Sequence, residues 1–198
     1  MATLATDDFN RADTANGLGS NWATRWGQNG TDVFRIESNQ VGIAATGGSG
    51  GPYNVGYSAV TWPNDQWSQC TVTDLGTAGD IGPTVRILGS SGVTFFPRTA
   101  GNGGYLVEWA GTSAPFSETI AGSSTGGVVN DVAYLEVQGT TYRARINGVQ
   151  VLSATNSRNA SGTAGMGVFW TGSDPYNADN WSGGDFAPDG IPVFWLGA

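Results

Sequence analysis

Acidic and aromatic side chains crowd together near both ends of the sequence. DDFNRAD covers residues 7–13, and DNWSGGDF covers residues 179–186. Such clusters could bind a hard cation or supply the paired carboxylates of a glycosidase. The same residue types also cap turns, and Gly183-Gly184 predicts a bend or bulge that interrupts a closing strand. A structural role is therefore the leading interpretation for both clusters.

Catalysis has few chemical groups to draw on, because the sequence contains no histidine. This excludes Ser-His-Asp and Cys-His nucleophiles, histidine-ligated zinc and imidazole bases. Strand alternation places Tyr105 and Trp109 of GYLVEW on one face and Glu108 on the other. Glycoside cleavage needs two carboxyls across one cleft, yet the glutamates lie far apart: Glu37, Glu108, Glu118 and Glu136. We therefore expect a protein that is not an enzyme.

Exposed aromatic rings could instead form a carbohydrate-binding surface. The chain has 8 Trp and 6 Tyr, and an aromatic ring with amides or carboxylates nearby suits a sugar. Apparent loop positions favour these glycan-contact candidates: Tyr53, Trp62, Trp67 and Tyr176. The competing interpretation is that large aromatic side chains fill the core.

The charge balance limits the partners. Acidic residues number 16 against 8 basic residues, and the formal net charge is -8. Without a basic cluster the chain cannot neutralise phosphates, so we expect neither nucleic acid nor a membrane as a partner. Cys70 is the single cysteine, so we expect a small buried side chain and no intrachain disulfide.

The most regular segment, residues 132–153, predicts a three-stranded meander. Asn147-Gly148 is typical of a two-residue hairpin turn and would pair Ile146 with Val149 and Ala144 with Val151. Gly139-Thr140 is predicted to form the preceding turn. The resulting uncharged core face consists of Ala133, Leu135, Val137, Tyr142, Ala144, Ile146, Val149 and Val151. The other, solvated face would set Glu136 opposite Arg143 and Tyr134 opposite Arg145.

Similar short segments recur along the chain, separated by clusters of Gly, Ser, Thr, Asn and Pro. About a dozen such segments without helical periodicity predict an all-β fold, an antiparallel two-sheet β-sandwich or jelly roll. We expect residues 1–186 to form a single jelly-roll domain. Residues 187–198 form an apolar C-terminal tail that should be buried against the domain or against a partner.

The order of these segments resembles the concanavalin A-like, laminin-G-like jelly roll. The resemblance is carried by DDFNRADTANGLGSNW, GDIGPTVRIL, GGYLVEW, YLEVQGTTYRARINGVQVL, AGMGVFW and DNWSGGDF. It implies that the first and last strands lie side by side. The fold hosts lectins, hydrolases, lyases and structural modules, so function stays open. The Glu-x-Asp-x-x-Glu type motif of its retaining glucanases is absent from this sequence.

Two further expectations follow from the resemblance. Some members of the family hold calcium near the first and last strands, which implies Asp179 as a ligand and Asp8 as a weaker one. No other cofactor is expected. The opening segment, DDFNRADTANGLGSNW, is most similar to modules of virion proteins from phages that infect actinobacteria.

The leading functional hypothesis is a non-enzymatic virion structural protein, either a capsid decoration or a tail-associated protein. Phe194, Trp195 and Leu196 would dock it to capsid or tail proteins in many copies or as a homo-oligomer. The N-terminus lacks a signal-peptide pattern, so synthesis in the host cytoplasm and location in the virion are expected. The alternative is an extracellular, lectin-like module that binds a cell-surface or cell-wall polysaccharide. A polysaccharide-active enzyme is the minor alternative.

Overall fold

The computed structural model describes residues 1–26, 34–43, 51–75, 80–89, 91–98, 103–110, 116–123, 125–157, 159–170 and 176–186. Its strands are β1 (Ala2–Asp7), β2 (Trp22–Trp26), β3 (Phe34–Glu37), β4 (Gln40–Ile43), β5 (Gly51–Tyr57), β6 (Gln66–Asp74), β7 (Asp80–Leu88), β8 (Ser91–Phe96), β9 (Tyr105–Ala110), β10 (Phe116–Gly122), β11 (Val132–Gln138), β12 (Thr141–Ile146), β13 (Val149–Thr155), β14 (Thr163–Trp170) and β15 (Asn177–Asp185). Within these ranges no helix is long and apolar enough to cross a membrane.

The strands form two antiparallel sheets. Within the described residues, the eight-stranded sheet has the order β13-β12-β11-β6-β15-β4-β3, and β1 also pairs with β15. The seven-stranded sheet, counted over the same residues, has the order β10-β9-β8-β7-β14-β5-β2. Many neighbours in each sheet are distant in sequence, as in a jelly roll. The predicted all-β, two-sheet sandwich is confirmed.

The core lies between the sheets and is built from alternate side chains of each strand, because successive residues point to opposite faces. In β6 the inward side chains include Cys70 and Val72, and in β14 they include Met166 and Val168. Burying one such apolar side chain contributes about 1.5–3 kcal/mol. Cys70 is buried as predicted, and burial raises the pKa of its thiol to about 12.

The predicted register of the meander is confirmed between β11 and β12. Leu135 pairs with Ala144, and Glu136 pairs with Arg143. The Asn147-Gly148 turn is also confirmed, since both residues have positive φ, of 49° and 80°, as a type I′ turn requires. β13 therefore begins directly after this turn, as the sequence predicts.

The pairing of β12 with β13 departs from the prediction beyond the turn. A register shift sets Ala144 opposite Leu152, so Val151 is an additional residue on β13. A β-bulge of this kind turns the following side chains to the other face. Leu152 is consequently buried, whereas Val149 is 68% exposed. The expectation that Val149 belongs to the core face is wrong, whereas Val151 is partly buried and packs against the core.

The opposite face of the meander is less solvated than expected. Glu136 is only 4% exposed, and its Oε1 lies 3.4 Å from nitrogens of both Arg143 and Arg145. Among the described residues the Tyr134 ring stacks on Trp67, at a centroid distance of 5.8 Å, rather than on the Arg145 guanidinium. The predicted ion pair is present, but the aromatic partner is a different one.

A second apolar cluster lies on the outer face of the seven-stranded sheet. It is formed by Phe96, Val107 and Trp109, with Tyr105 and Phe169 packed against it. Glu108 points to the opposite face, where it is fully buried and accepts hydrogen bonds from Asn156 and Asn159. The predicted alternation along β9 is confirmed.

Candidate functional site

The two acidic clusters meet at a seam between β1 and β15. The strands pair antiparallel, with Thr6 opposite Ser182 and Asp7 opposite Trp181. The adjacency implied by the resemblance is confirmed. Both clusters therefore contribute side chains to one place on the eight-stranded sheet.

The pairing of β15 is irregular at more than one place, and one of them is the predicted glycine pair. The strand continues through Gly183-Gly184, which pair with β1 on one side and β6 on the other. The register against β1 shifts opposite this glycine pair, between Thr3 and Ala5. The register against β6 shifts between Asp179 and Ser182, where Asn180 has a φ of 50°. Asn tolerates this left-handed conformation better than most residues. The predicted irregularity at the glycine pair is therefore present in the pairing with β1, but the expectation that it interrupts the strand is wrong.

The two glycines of β15 allow close packing. A Cβ added at Gly183 would lie 2.8 Å from the Trp62 ring. A Cβ at Gly184 would lie 2.0 Å from the carbonyl oxygen of Ala2. Any side chain at these positions would push aside an aromatic ring or β1 itself.

Beyond β1 the chain turns around two aspartates. Asp7 accepts a hydrogen bond from the Phe9 amide at 2.8 Å, and Asp8 accepts one from the Asn10 amide at 3.1 Å. These Asx-type bonds favour a tight turn, in which Phe9 adopts a φ of 50°. The Phe9 ring is fully buried against Trp22. Burial of that ring fixes the turn and leaves Asp8 at the surface.

Asp7 is the electrostatic centre of the turn. Arg11 binds it with two hydrogen bonds, of 2.6 and 3.0 Å, and also donates to the Leu18 carbonyl at 2.6 Å. The Trp22 indole donates to Asp7 at 2.7 Å. Burial alone would raise the pKa of Asp7, but the bonds from Arg11, Trp22 and Phe9 lower that pKa below its ordinary value. Asp7 is therefore ionised at neutral pH.

A cleft of about 490 Å³ lies over the seam. Its lining combines carboxylates, amides, hydroxyls and one guanidinium from both sheets. The lining residues are Thr6, Asp7, Asp8, Arg11, Asn21, Tyr57, Asn180, Trp181 and Ser182. We call this the seam cleft.

Aromatic rings form the base of the seam cleft. Trp181 is 1% exposed, and its indole donates to Ser68 at 2.9 Å. Tyr57 stacks on Trp181 at 5.2 Å, and Trp22 meets the same ring edge-on at 4.7 Å. Three mutually packed rings hold each other in fixed rotamers, so the base is rigid. The polar side chains above this base differ in how many hydrogen bonds they already make within the protein.

The seam cleft suits the recognition of hydroxyl groups. Asp7 is saturated by Arg11, Trp22 and the Phe9 amide, and acts as a structural anion. Asp8 is exposed and accepts a bond only from Asn10 among the described residues. Amides and hydroxyls supply both donors and acceptors beside it. The arrangement therefore offers both donors and acceptors to the hydroxyl groups of a ligand.

The four predicted glycan-contact aromatics do not form an exposed platform. Tyr53 and Tyr176 are fully buried in the core between the sheets. Tyr53 lies in β5 rather than in a loop, whereas Tyr176 directly precedes β15. Trp67 is 7% exposed and packs against Tyr134. Trp62 is half-buried, with its ring edge-on to Trp181 at 6.2 Å. Large rings have filled the interior, which is the competing interpretation for these residues.

The predicted calcium ligands, Asp8 and Asp179, follow β1 and lie in β15, respectively, and make separate local contacts. Asp8 lines the seam cleft, whereas Asp179 accepts a bond from the Asn180 amide at 2.7 Å. In the described part of the chain, no group of three or more His, Cys, Asp or Glu side chains could hold a metal ion. Calcium at Asp8 and Asp179 stays a prediction, which chelator sensitivity of the melting temperature would test.

Several cleft residues have weak or absent signals in the sequence. Arg11 follows Asp7 by four positions, which is a usable ion-pair spacing in a tight turn. Asn180 belongs to the acidic cluster of residues 179–186. Asn21 and Tyr57 offer no such signal, because they reach the seam cleft only after the two sheets pack together.

Comparisons with known proteins identify the fold. No protein-family model and no curated protein sequence matches the chain. The carbohydrate-binding module CBM66 from Bacillus subtilis matches with a TM-score of 0.60 and 16% identity, over 81% of this chain and 94% of that one. A Bacillus subtilis protein of unknown function with a galectin-like fold matches with a TM-score of 0.60 and 10% identity, over 92% of this chain and 96% of that one. The β-agarase A of Zobellia galactanivorans matches with a TM-score of 0.58 and 10% identity, over 92% of this chain and 91% of that one.

At these identities the likeness concerns the fold alone. The chain has a jelly-roll β-sandwich, and the jelly-roll fold that the resemblance implies is confirmed. The matched structures carry no information about a phage origin. Function has to be argued from the site.

Proposed function

We propose that the chain is a glycan-binding module whose ligand occupies the seam cleft. The observation that carries this proposal is a cleft with a polar lining above a rigid aromatic base. A sugar presents hydroxyl groups that donate and accept hydrogen bonds, and it presents apolar C–H faces. Few, well-placed polar groups beside aromatic surface are the usual composition of a small-ligand site.

The comparisons support this function over the virion hypothesis. Two of the matched structures are named as a carbohydrate-binding module and as a β-agarase. Their identities of 16% and 10% transfer no residue roles to this chain. The glycan-binding alternative of the sequence analysis thereby becomes the leading function.

We propose binding without catalysis. Glu37 lies at the end of β3, Glu108 is enclosed by amides, and Glu136 is held by two arginines on the meander. In the seam cleft Asp7 is already saturated by hydrogen bonds from Arg11 and Trp22. Asp8 therefore has no second free carboxylate among the described residues of the cleft lining with which to act as a catalytic pair. A glycosidase needs an acid and a base or nucleophile facing one bond. Incubation with the bound glycan should therefore release no reducing ends.

The test is a fluorescence titration with a panel of soluble neutral and acidic polysaccharides. Trp22 and Trp181 lie beneath the seam cleft, so a bound glycan should change their emission saturably. A double variant, Asn21→Ala with Asn180→Gly, removes both amides from the lining. Glycine at position 180 keeps the left-handed backbone. We expect the affinity to fall by about tenfold or more with an unchanged melting temperature.

The matched control is Asn16→Ala. Asn16 is an exposed amide of the same opening segment and is not part of the cleft lining. This variant should bind as the parent does. Equal loss of affinity in the control and in the double variant, or no saturable binding to any glycan, would contradict the proposed function.

A virion structural role is the second hypothesis, supported by the resemblance of the opening segment. Its predicted docking residues, Phe194, Trp195 and Leu196, lie outside the described residues. Deleting residues 187–198 should abolish particle binding while leaving the remainder folded. An unfolded truncated protein would contradict a docking role for the tail.

A further inference from the structure

The only cation lining the seam cleft, within the described residues, is already committed to other partners. Three of the five N–H groups of the Arg11 guanidinium donate to the two oxygens of Asp7 and to the Leu18 carbonyl. The guanidinium also lies over the Phe9 ring, at 5.5 Å. The two remaining N–H groups could contact an anion at the surface, but Asp7 already balances the charge of the guanidinium, so an anion would gain little net attraction there.

The charge that remains available in the seam cleft is negative. Asp7 and Arg11 neutralise one another, whereas the Asp8 carboxylate is exposed and is opposed by no cation among the lining residues. The remaining lining side chains are uncharged amides, hydroxyls and an indole. An incoming carboxylate or sulfate would therefore meet a like charge at Asp8 and no free arginine. The chain as a whole, with a formal net charge of -8, repels polyanions at longer range.

We infer that the seam cleft selects uncharged glycans, because the Asp8 carboxylate accepts ligand hydroxyls and the charge of Arg11 is already balanced by Asp7. This inference rests on the proposed glycan-binding function and deepens it to a substrate class. A carboxylate can accept hydrogen bonds from two hydroxyls at once. Charged acceptors make stronger hydrogen bonds than neutral ones. The single carboxylate of Asp8 thus favours neutral sugars by accepting their hydroxyls and disfavours uronates and sulfated sugars by charge repulsion.

The experiment compares matched probes on the full chain. Neutral probes are a β-glucan, a xylan, an arabinan and a fructan, and anionic probes are alginate, polygalacturonate and a sulfated galactan. Polygalacturonate and its methyl ester form the sharpest pair, because they share a backbone and differ in charge. Affinities are measured by titration calorimetry at low and high ionic strength. We expect the neutral probes to bind at least about fivefold more tightly than the anionic ones at low salt, with a smaller ratio at high salt.

Two variants at one position test the role of Asp8. Asp8→Asn keeps an oxygen that can accept the Asn10 amide, and should weaken neutral-glycan binding by about tenfold. Asp8→Arg should reduce the neutral-to-anionic affinity ratio below that of the parent. The matched control is Asp13→Asn, which makes the same charge change on an exposed aspartate whose bond from the Ser38 amide an Asn oxygen can keep. The control should leave the ratio unchanged.

The outcomes separate the inference from the function on which it rests. Anionic probes that bind as tightly as neutral ones would overturn the inference while leaving glycan binding intact. A ratio that changes equally in Asp8→Asn and Asp13→Asn would also overturn it, because the discrimination would then come from net charge. Absence of binding to every probe would overturn both the inference and the proposed function.

Discussion

Asp7 in the seam and Asp80 on the outer face of the seven-stranded sheet are built from similar parts. Each carboxylate is bound by one arginine and one aromatic donor: Arg11 and Trp22 for Asp7, Arg98 and Tyr105 for Asp80. Their pKa values nevertheless move in opposite directions. Burial raises the pKa of Asp80 despite its hydrogen bonds, whereas the bonds to Asp7 outweigh burial and lower its pKa.

The difference lies in exposure and in the number of donors. The side chain of Asp7 is 11% exposed and receives both guanidinium branches, an indole and a backbone amide. The side chain of Asp80 is 2% exposed, and Arg98 and Tyr105 both donate to its Oδ2. Desolvation favours the neutral acid, and donors favour the anion. An aspartate with an arginine beside it is therefore not always strongly ionised.

The largest effect is expected from Asp7→Ala. Removing this carboxylate leaves the Trp22 indole unpaired and releases Arg11 from the turn, at a cost of about 2–4 kcal/mol in the free energy of unfolding. Urea unfolding measures the change. Asp13→Ala, an exposed aspartate of the same segment, is the control. A loss below ~0.5 kcal/mol for Asp7→Ala would show that the turn is held by packing alone.

A smaller loss is expected from Tyr105→Phe. The ring keeps its packing on Phe96 and its contact with Arg98, but Asp80 loses one donor while buried. The expected cost is about 1–2 kcal/mol, again by urea unfolding. A neutral result would mean that the hydroxyl of Tyr105 does not stabilise Asp80.

A still smaller effect is expected from Asp80→Asn. An Asn oxygen still accepts from Arg98 and Tyr105, and the buried charge is gone, so stability at neutral pH should stay within ~1 kcal/mol of the parent. Asp7→Asn should cost more, because it breaks a two-bond ion pair. Equal losses at both positions would remove the distinction between the two sites.

The smallest expected effect is a difference between Asp7 and Asp80 in how the free energy of unfolding depends on pH. The lowered pKa of Asp7 means that its stabilisation is present above the ordinary Asp pKa and is lost as pH falls through the folded value. The raised pKa of Asp80 acts oppositely, because its native state holds the proton more tightly and loses stability as pH rises above the ordinary Asp range. Asp7→Asn should flatten the acid limb of the stability curve. Asp80→Asn should instead remove the decline on the higher-pH side.

Local rules predict much of the fold. The turn at Asn147-Gly148 and the alternation of β11 and β12 follow from residue type and period, and both are confirmed. The bulge at Val151 could not be predicted in this way, because no residue there demands it. It arises from the packing of Leu152 into the core, a preference of the assembled sandwich.

The candidate site was only partly predictable for a related reason. The meeting of residues 7–13 and 179–186 follows from the strand order that the resemblance implies. The cleft above that meeting depends on Tyr57 and Asn21 from the other sheet. Tyr53 and Tyr176 lie beside loop-like sequence, yet the fold buries them. Sequence position alone cannot tell which side of a strand faces solvent.

The most direct test of glycan binding at the seam follows the tryptophan indole N–H signals by nuclear magnetic resonance during titration with a binding glycan. The indoles of Trp22 and Trp181 are hydrogen-bonded beside and beneath the seam cleft. The indole of Trp109 is bonded to Thr94 on the outer face of the other sheet. We expect the first two signals to shift saturably while that of Trp109 stays in place. A shift of Trp109 with Trp22 and Trp181 unmoved would place the ligand elsewhere and contradict the proposed site.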